Sequence, residues 1–167
     1  MTTLEPLNPG ILEPFSGIRL ELELDDSLPL VLLDPEGVGN ALQILIENAV
    51  EAMAEQCRQA APRPAVLTIK TSLVPSGPTA KDAKDARQGA GEEGRVVRIE
   101  VSDTGKGIPD GYVEKALEPF FTLDKPHGSG LGLTFARTIV EDYGGAIELS
   151  SRQNKGTRVR IELPVRS

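Results

Sequence analysis

Apolar and charged residues alternate strictly from Ile18 to Leu24 (IRLELEL), which predicts a strand with one buried and one wet face, as in a half-exposed antiparallel sheet. Downstream, Asp34-Pro35-Glu36 supplies a side-chain acceptor, a proline for the first helical position and an acid near the positive end of the dipole. A helix starts there. Val38, Ala41, Leu42, Leu45, Ile46, Ala49 and Met53 recur at helical spacing and carry it to about Cys57, before Pro62 and Pro64 forbid continuation. Val66 to Val74 and Arg95 to Val101 alternate again and predict a pair of antiparallel strands. Between them, Pro75 to Gly94 contains no Val, Ile, Leu, Met or aromatic residue and predicts a mobile hairpin loop. A short helix over Tyr112 to Leu117 and a longer one over Leu131 to Tyr143 follow, the latter stopped by Gly144-Gly145. Ala146 to Ser151 and Thr157 to Leu163 flank an Asn154-Lys155-Gly156 turn and predict a final hairpin. The expected fold is an α+β two-layer sandwich, a mixed but mostly antiparallel sheet with helices on one face. Residues 1–17 form a boundary segment and residues 18–167 one domain.

Composition narrows the function. At 167 residues and 39% apolar, the chain holds one cored domain. A net charge of −7 argues against a nonspecific nucleic-acid binder, which needs a positive field. Cys57 and His127 are each alone, so no disulfide or Cys/His zinc set can form within the chain. No stretch approaches the roughly 20 apolar residues of a membrane span, and Met1 to Gly10 lacks a leader pattern. A cytoplasmic location without direct membrane contact from this segment is expected, any membrane anchor being supplied elsewhere.

Three places carry candidate chemistry. Asn48 shares the core-facing stripe with Ala41, Leu45 and Ala52. A buried amide there is satisfied either by a neighbouring strand or by a hard cation such as Mg²⁺, which takes oxygen ligands and bridges to phosphates. The Val101-Ser102-Asp103-Thr104-Gly105-Lys106-Gly107-Ile108-Pro109 segment ends a strand on an acid and two glycines. It reads as a plain turn, or as a carboxylate accepting from the amino group of a flat base such as adenine, with glycines permitting close backbone approach. Lys125-Pro126-His127-Gly128-Ser129-Gly130-Leu131-Gly132-Leu133 places three glycines ahead of a helix, where backbone amides and the dipole attract phosphate. Its spacing matches neither the P-loop nor the G-x-G-x-x-G dinucleotide fingerprint.

Taken in order, ENAVEAM with Asn48, Asp103-x-Gly105-x-Gly107, Glu118-Pro119-Phe120-Phe121-Thr122, Gly128-Ser-Gly-Leu-Gly-Leu133 and Gly156-Thr157 resemble the N, G1, F, G2 and G3 boxes of the ATP-binding domain of bacterial sensor histidine kinases. The segment EPFFT with GSGLGL is most similar to kinases of the nitrogen-regulation and oxygen-sensing type. The resemblance implies the Bergerat ATP-binding fold, with Mg²⁺ held by Asn48 and the adenine amino group by Asp103. It further implies that Gly105 and Gly107 let the loop pass close to the base, that Ala52 and Ile108 wall the base pocket, and that Thr157 supports Asp103 and adenine. Gly128, Ser129, Gly130, Leu131 and Gly132 would form the phosphate-side lid. Lys125 fits equally a phosphate contact or a solvated lysine. Phe120 and Phe121 would anchor the lid, meet the acceptor-bearing helix, or simply pack.

The partners implied are a histidine-bearing dimerisation hairpin absent from this chain and a response-regulator receiver domain. His127, set between Pro126 and Gly128 in the lid, is not the expected acceptor. One departure stands out: Ile44 occupies the position, one turn before Asn48, where the kinases carry Asn and the related ATPases a water-activating Glu. Glu47 does not replace it, since three residues rotate a side chain by about 300°. No catalytic residue is therefore assigned, and weak hydrolysis is expected. Two alternatives stand beside the kinase: a nucleotide-binding module of the same fold without catalysis, and an anti-sigma-type serine kinase.

Overall fold

The computed structural model describes residues 17–31, 33–57, 63–76, 94–122 and 130–165. Strand β1 (Ile18–Glu23) leads to helix α1 (Pro35–Cys57), then strands β2 (Ala65–Pro75) and β3 (Arg95–Asp103). Asp34 caps α1 as its sequence predicts: its two carboxylate oxygens accept the Glu36 and Gly37 N–H groups at 3.1 Å each. After β3, two 3-10 turns (Asp110–Tyr112 and Glu114–Leu117) stand where a single short helix is expected. Pro109 and Pro119 bracket that segment too closely for a sustained α-helix. Helix α2 (Gly132–Asp142) and strands β4 (Ala146–Arg152) and β5 (Gly156–Pro164) complete the fold. The stop of α2 is Gly144, left-handed at φ 70°, whose N–H returns to Glu141 while that of Gly145 returns to Val140.

The five strands are ordered β1-β2-β3-β5-β4. All pairs are antiparallel except β1 with β2, which is parallel in the register Ile18↔Ala65 to Glu23↔Lys70. This differs from the antiparallel reading of IRLELEL. The cause is α1, whose 23 residues form the crossover that a parallel pair requires. The sheet is mixed and mostly antiparallel, as expected.

Register assigns the two faces. Leu67, Val101, Val159, Ile161 and Leu163 lie on one face and cluster with Ala41, Leu45, Ala49 and Met53 of α1 and Ala136 and Val140 of α2. Both helices therefore cover the same side. The other side carries a charged ladder, in which Arg160 bridges Glu100 and Glu148 while Arg98 meets Glu162 at 2.6 Å. Met53, Leu67 and Ile161 are fully buried, and truncating any of them to Ala costs about 2–5 kcal/mol. Among the described residues no helix is long and apolar enough to cross a membrane. Most of the expected 75–94 loop lies outside the described residues.

Candidate functional site

The stripe Ile44, Asn48 and Ala52 repeats every four residues, so α1 turns these side chains together toward the ends of β3 and β5. There they line a cavity of about 500 Å³, joined by Asp103, Lys106, Gly107 and Ile108 after β3, by Phe121 and Thr122, by Gly130, Gly132 and Leu133 at the start of α2, and by Thr157 of β5. That size suits a small organic ligand.

Asp103 is the last residue of β3 on the helix-covered face. Its Oδ1 accepts the backbone N–H groups of Gly105 at 2.8 Å and Thr157 at 3.3 Å. Asp103 also lines the cavity, where its carboxylate can accept from a ligand donor. Burial pushes the carboxyl up to about 6, against the opposing pull of the Gly105 and Thr157 N–H groups.

Gly105 itself does not line the cavity. It is buried against α1, where a Cβ would stand 2.6 Å from the Ala52 carbonyl oxygen, and the next N–H, of Lys106, donates to that oxygen at 3.1 Å. Gly107 has φ 63°, and a Cβ there would meet the Arg152 carbonyl at 2.1 Å. The two glycines thus admit backbone from α1 and from the β4–β5 hairpin, and only Gly107 also faces the ligand space.

At the opposite end of the cavity, Ile44 and Asn48 lie under the first residue of α2. A Cβ on Gly132 would fall 3.3 Å from Ile44 Cγ2 and 3.9 Å from Asn48 Nδ2. The N-cap residue Leu131 supplies no side-chain cap among the described residues, and the first N–H groups and dipole of α2 favour an anion beside Asn48. Among the described residues no group of three or more His, Cys, Asp and Glu side chains is placed to hold a metal. A cation at this end of the cavity would therefore draw most of its ligands from phosphate and water.

Of the expected site residues, Asn48, Ala52, Asp103, Gly107, Ile108, Gly130, Gly132 and Thr157 converge on this cavity. Leu131 is 41% exposed and lies outside its lining, because it precedes α2 with its side chain turned to solvent. Lys125, His127, Gly128 and Ser129 lie outside the described residues. Phe121 lines the cavity and stacks on Tyr112 with ring centroids 5.9 Å apart, whereas Phe120 is exposed at φ 65°. Thr157 reaches Asp103 through its backbone N–H, while its hydroxyl pairs with Ser151. Glu47 and Glu51 also border the cavity, Glu47 accepting from Gln43 at 2.8 Å. Lys106, Glu51 and Ser151 were not singled out from sequence. Lys106 lay between the two glycines, the one available signal.

A mixed sheet with both helices on one face, and a ligand-sized cavity between α1 and the ends of β3 and β5, defines a two-layer α+β sandwich with a single-ligand cleft. Matched over residues 33–167, the chain belongs to the family of histidine kinase-, DNA gyrase B- and HSP90-like ATPases. It is 32% identical over 148 residues to the sensor histidine kinase ZraS of Escherichia coli O157:H7, covering 89% of this chain and 26% of that protein. It is 31% identical over 148 residues to the sensor protein FixL of Bradyrhizobium diazoefficiens, covering 89% and 24% respectively. The chain spans about a quarter of the length of these relatives. The catalytic domain of histidine kinase ThkA superposes with a TM-score of 0.63 at 27% identity, over 95% of this chain and 92% of that one. The mycobacterial sensor histidine kinase MprB shares the fold, with a TM-score of 0.67 at 23% identity over 95% and 90% of the two chains.

Proposed function

We propose that this chain binds Mg²⁺-ATP and serves as the catalytic domain of a sensor histidine kinase, passing the γ-phosphoryl group to a histidine on a dimerisation hairpin outside the chain. A response-regulator receiver domain would then take the phosphoryl group from that histidine. The observation that carries this reading is the Asp103 carboxylate, which lines the cavity with one oxygen held by two backbone N–H groups. The exocyclic amino group of adenine is a donor that this carboxylate can accept. Ala52 and Ile108 flank the base, and Asn48 beside the start of α2 takes the phosphate end. Magnesium, when bound through Asn48 and the phosphates, neutralises charge that would otherwise oppose transfer. Lys125, Gly128 and Ser129 complete the phosphate side in this reading.

The chain's own task is positioning: the cavity fixes the base and ribose so that the terminal phosphate is presented at the open end. Ile44 favours a second reading, a nucleotide-binding module that does not transfer. Its methyl group fills the notch under Gly132 where a polar side chain would orient water or phosphate. The experiment that separates the two supplies the domain with γ-labelled ATP and the hairpin of its own kinase. Label on the hairpin that is lost in acid and retained in base supports histidine transfer; acid-stable label would indicate serine transfer, and absence of label despite ATP binding would favour the non-transferring module.

A further inference from the structure

Ser151, near the end of β4, does not line the cavity, yet its hydroxyl is held by two of the elements that do. It accepts the Ile108 N–H at 2.8 Å, lies 3.0 Å from the Gly156 carbonyl oxygen and 2.9 Å from the Thr157 hydroxyl. Ile108 belongs to the loop after β3 and Thr157 to β5, so one oxygen ties that loop to the β4–β5 hairpin from behind the site. Asn154 N–H to the Lys106 carbonyl, at 2.7 Å, closes the same seam from the other side.

Proton counting defines what Ser151 does. Its oxygen accepts the Ile108 N–H, and its single proton goes to the Gly156 carbonyl oxygen, which can only accept. The Thr157 hydroxyl then donates to Ser151 and keeps lone-pair capacity as an acceptor. Ser151 thereby pins the Thr157 rotamer in the residue whose backbone N–H holds Asp103. We infer that Ser151 is a positioning residue of the base pocket, holding the Thr157 side chain in the rotamer with which that residue borders the cavity. This rests on the nucleotide-binding reading above and adds to it a residue that never touches the ligand.

The test is calorimetric titration with Mg²⁺-ATP of the wild-type chain, Ser151→Ala, Thr157→Val, the double variant, and Ser151→Thr, which keeps the hydroxyl. Ser151→Ala is expected to weaken ATP binding roughly 2- to 10-fold, the usual worth of one such hydrogen bond. In the Thr157→Val background the same change should cost less than half of that factor, and Ser151→Thr should restore most of the affinity. A purely structural serine would weaken binding by the same factor in both backgrounds; that result, or unchanged affinity in Ser151→Ala, overturns the inference while leaving the nucleotide site standing. Failure of the folded wild-type chain to bind ATP would overturn both. Should Ser151→Ala fold poorly, Ser151→Cys, measured in both backgrounds, decides by the same coupling, because it fills the space with a weak hydrogen-bonding group.

Discussion

Gly105 and Ala52 stand backbone to backbone: a Cβ added at Gly105 would lie 2.6 Å from the Ala52 carbonyl oxygen and 2.7 Å from its carbonyl carbon. Neither atom can yield without moving α1, so the loop after Asp103 and the helix bearing Asn48 are fixed to each other at this contact.

Gly105→Ala should therefore lift the loop from α1 and break the Lys106 N–H to Ala52 bond. The expected destabilisation is about 1–3 kcal/mol, read by thermal or urea unfolding. ATP affinity should fall at least tenfold, because Asp103 and Ile108 move with the loop. An alanine variant with native stability and affinity would show that the contact is not tight.

Asp103 gives the site a pH dependence of known sign. Its carboxyl is raised by burial from 3.8 to about 6, so the folded state holds that proton more tightly than the unfolded chain. Stability from this group is present at low pH and is lost as pH rises from 3.8 to about 6, by about 3 kcal/mol in all. Asp103→Asn keeps an oxygen for the Gly105 and Thr157 N–H groups without the buried charge. At pH 8 it should be more stable than the wild type, and the gap should close below pH 4. Nucleotide affinity runs the other way: the amino group of the base needs the ionised form, so wild-type affinity should rise from pH 5 to 7 and then level. Chemical unfolding and calorimetry across that range check both signs.

Ile44→Glu places a carboxylate beside Asn48 and the start of α2. Hydrolysis of ATP by the wild-type chain should be near background, and this variant should raise it at least about tenfold, short of the roughly 10²- to 10⁴-fold of a fully placed general base. An assay of phosphate release decides, and an unchanged rate would mean that the apolar residue at position 44 does not limit hydrolysis.

Glu162 is 4% exposed, and its Oε1 takes both donors from Arg98, whereas its Oε2 has no hydrogen-bond partner among the described residues. Glu162→Ala should cost about 1–2 kcal/mol, less than for a fully buried pair because water reaches the 29% exposed Arg98 side chain, while the Arg98→Met, Glu162→Leu pair should be close to neutral. ATP affinity should change in neither, since this pair lies on the face away from α1 and α2. Urea unfolding with a parallel ATP titration tests both statements.

Much of this was legible in the chain itself. Asp34-Pro35 and the apolar stripe of α1 specify that helix locally, and the alternation in β2, β3 and β5 specifies which face is buried. The direction of β1 was not legible from alternation, which fixes a face and not a partner; only the length of α1 carries that information. Asn48, Asp103 and Gly107 stood out because amide, acid and glycine are unusual on a core stripe or at a strand end. Ser151 carried no such mark. Its role arises from the β4–β5 register and from a contact 43 residues away along the chain. Gly105 was legible as a residue needing close approach, but what approaches it is the backbone of α1, which no local pattern reveals.

The measurement that bears most directly on the account is calorimetric titration of the chain with ATP at pH 8, with and without Mg²⁺, beside Asp103→Asn. One saturable site in the wild type, tighter with Mg²⁺ and lost in the variant while the variant remains folded, is the predicted result. A folded wild-type chain that does not bind, or an Asp103→Asn variant that binds as tightly, would contradict it.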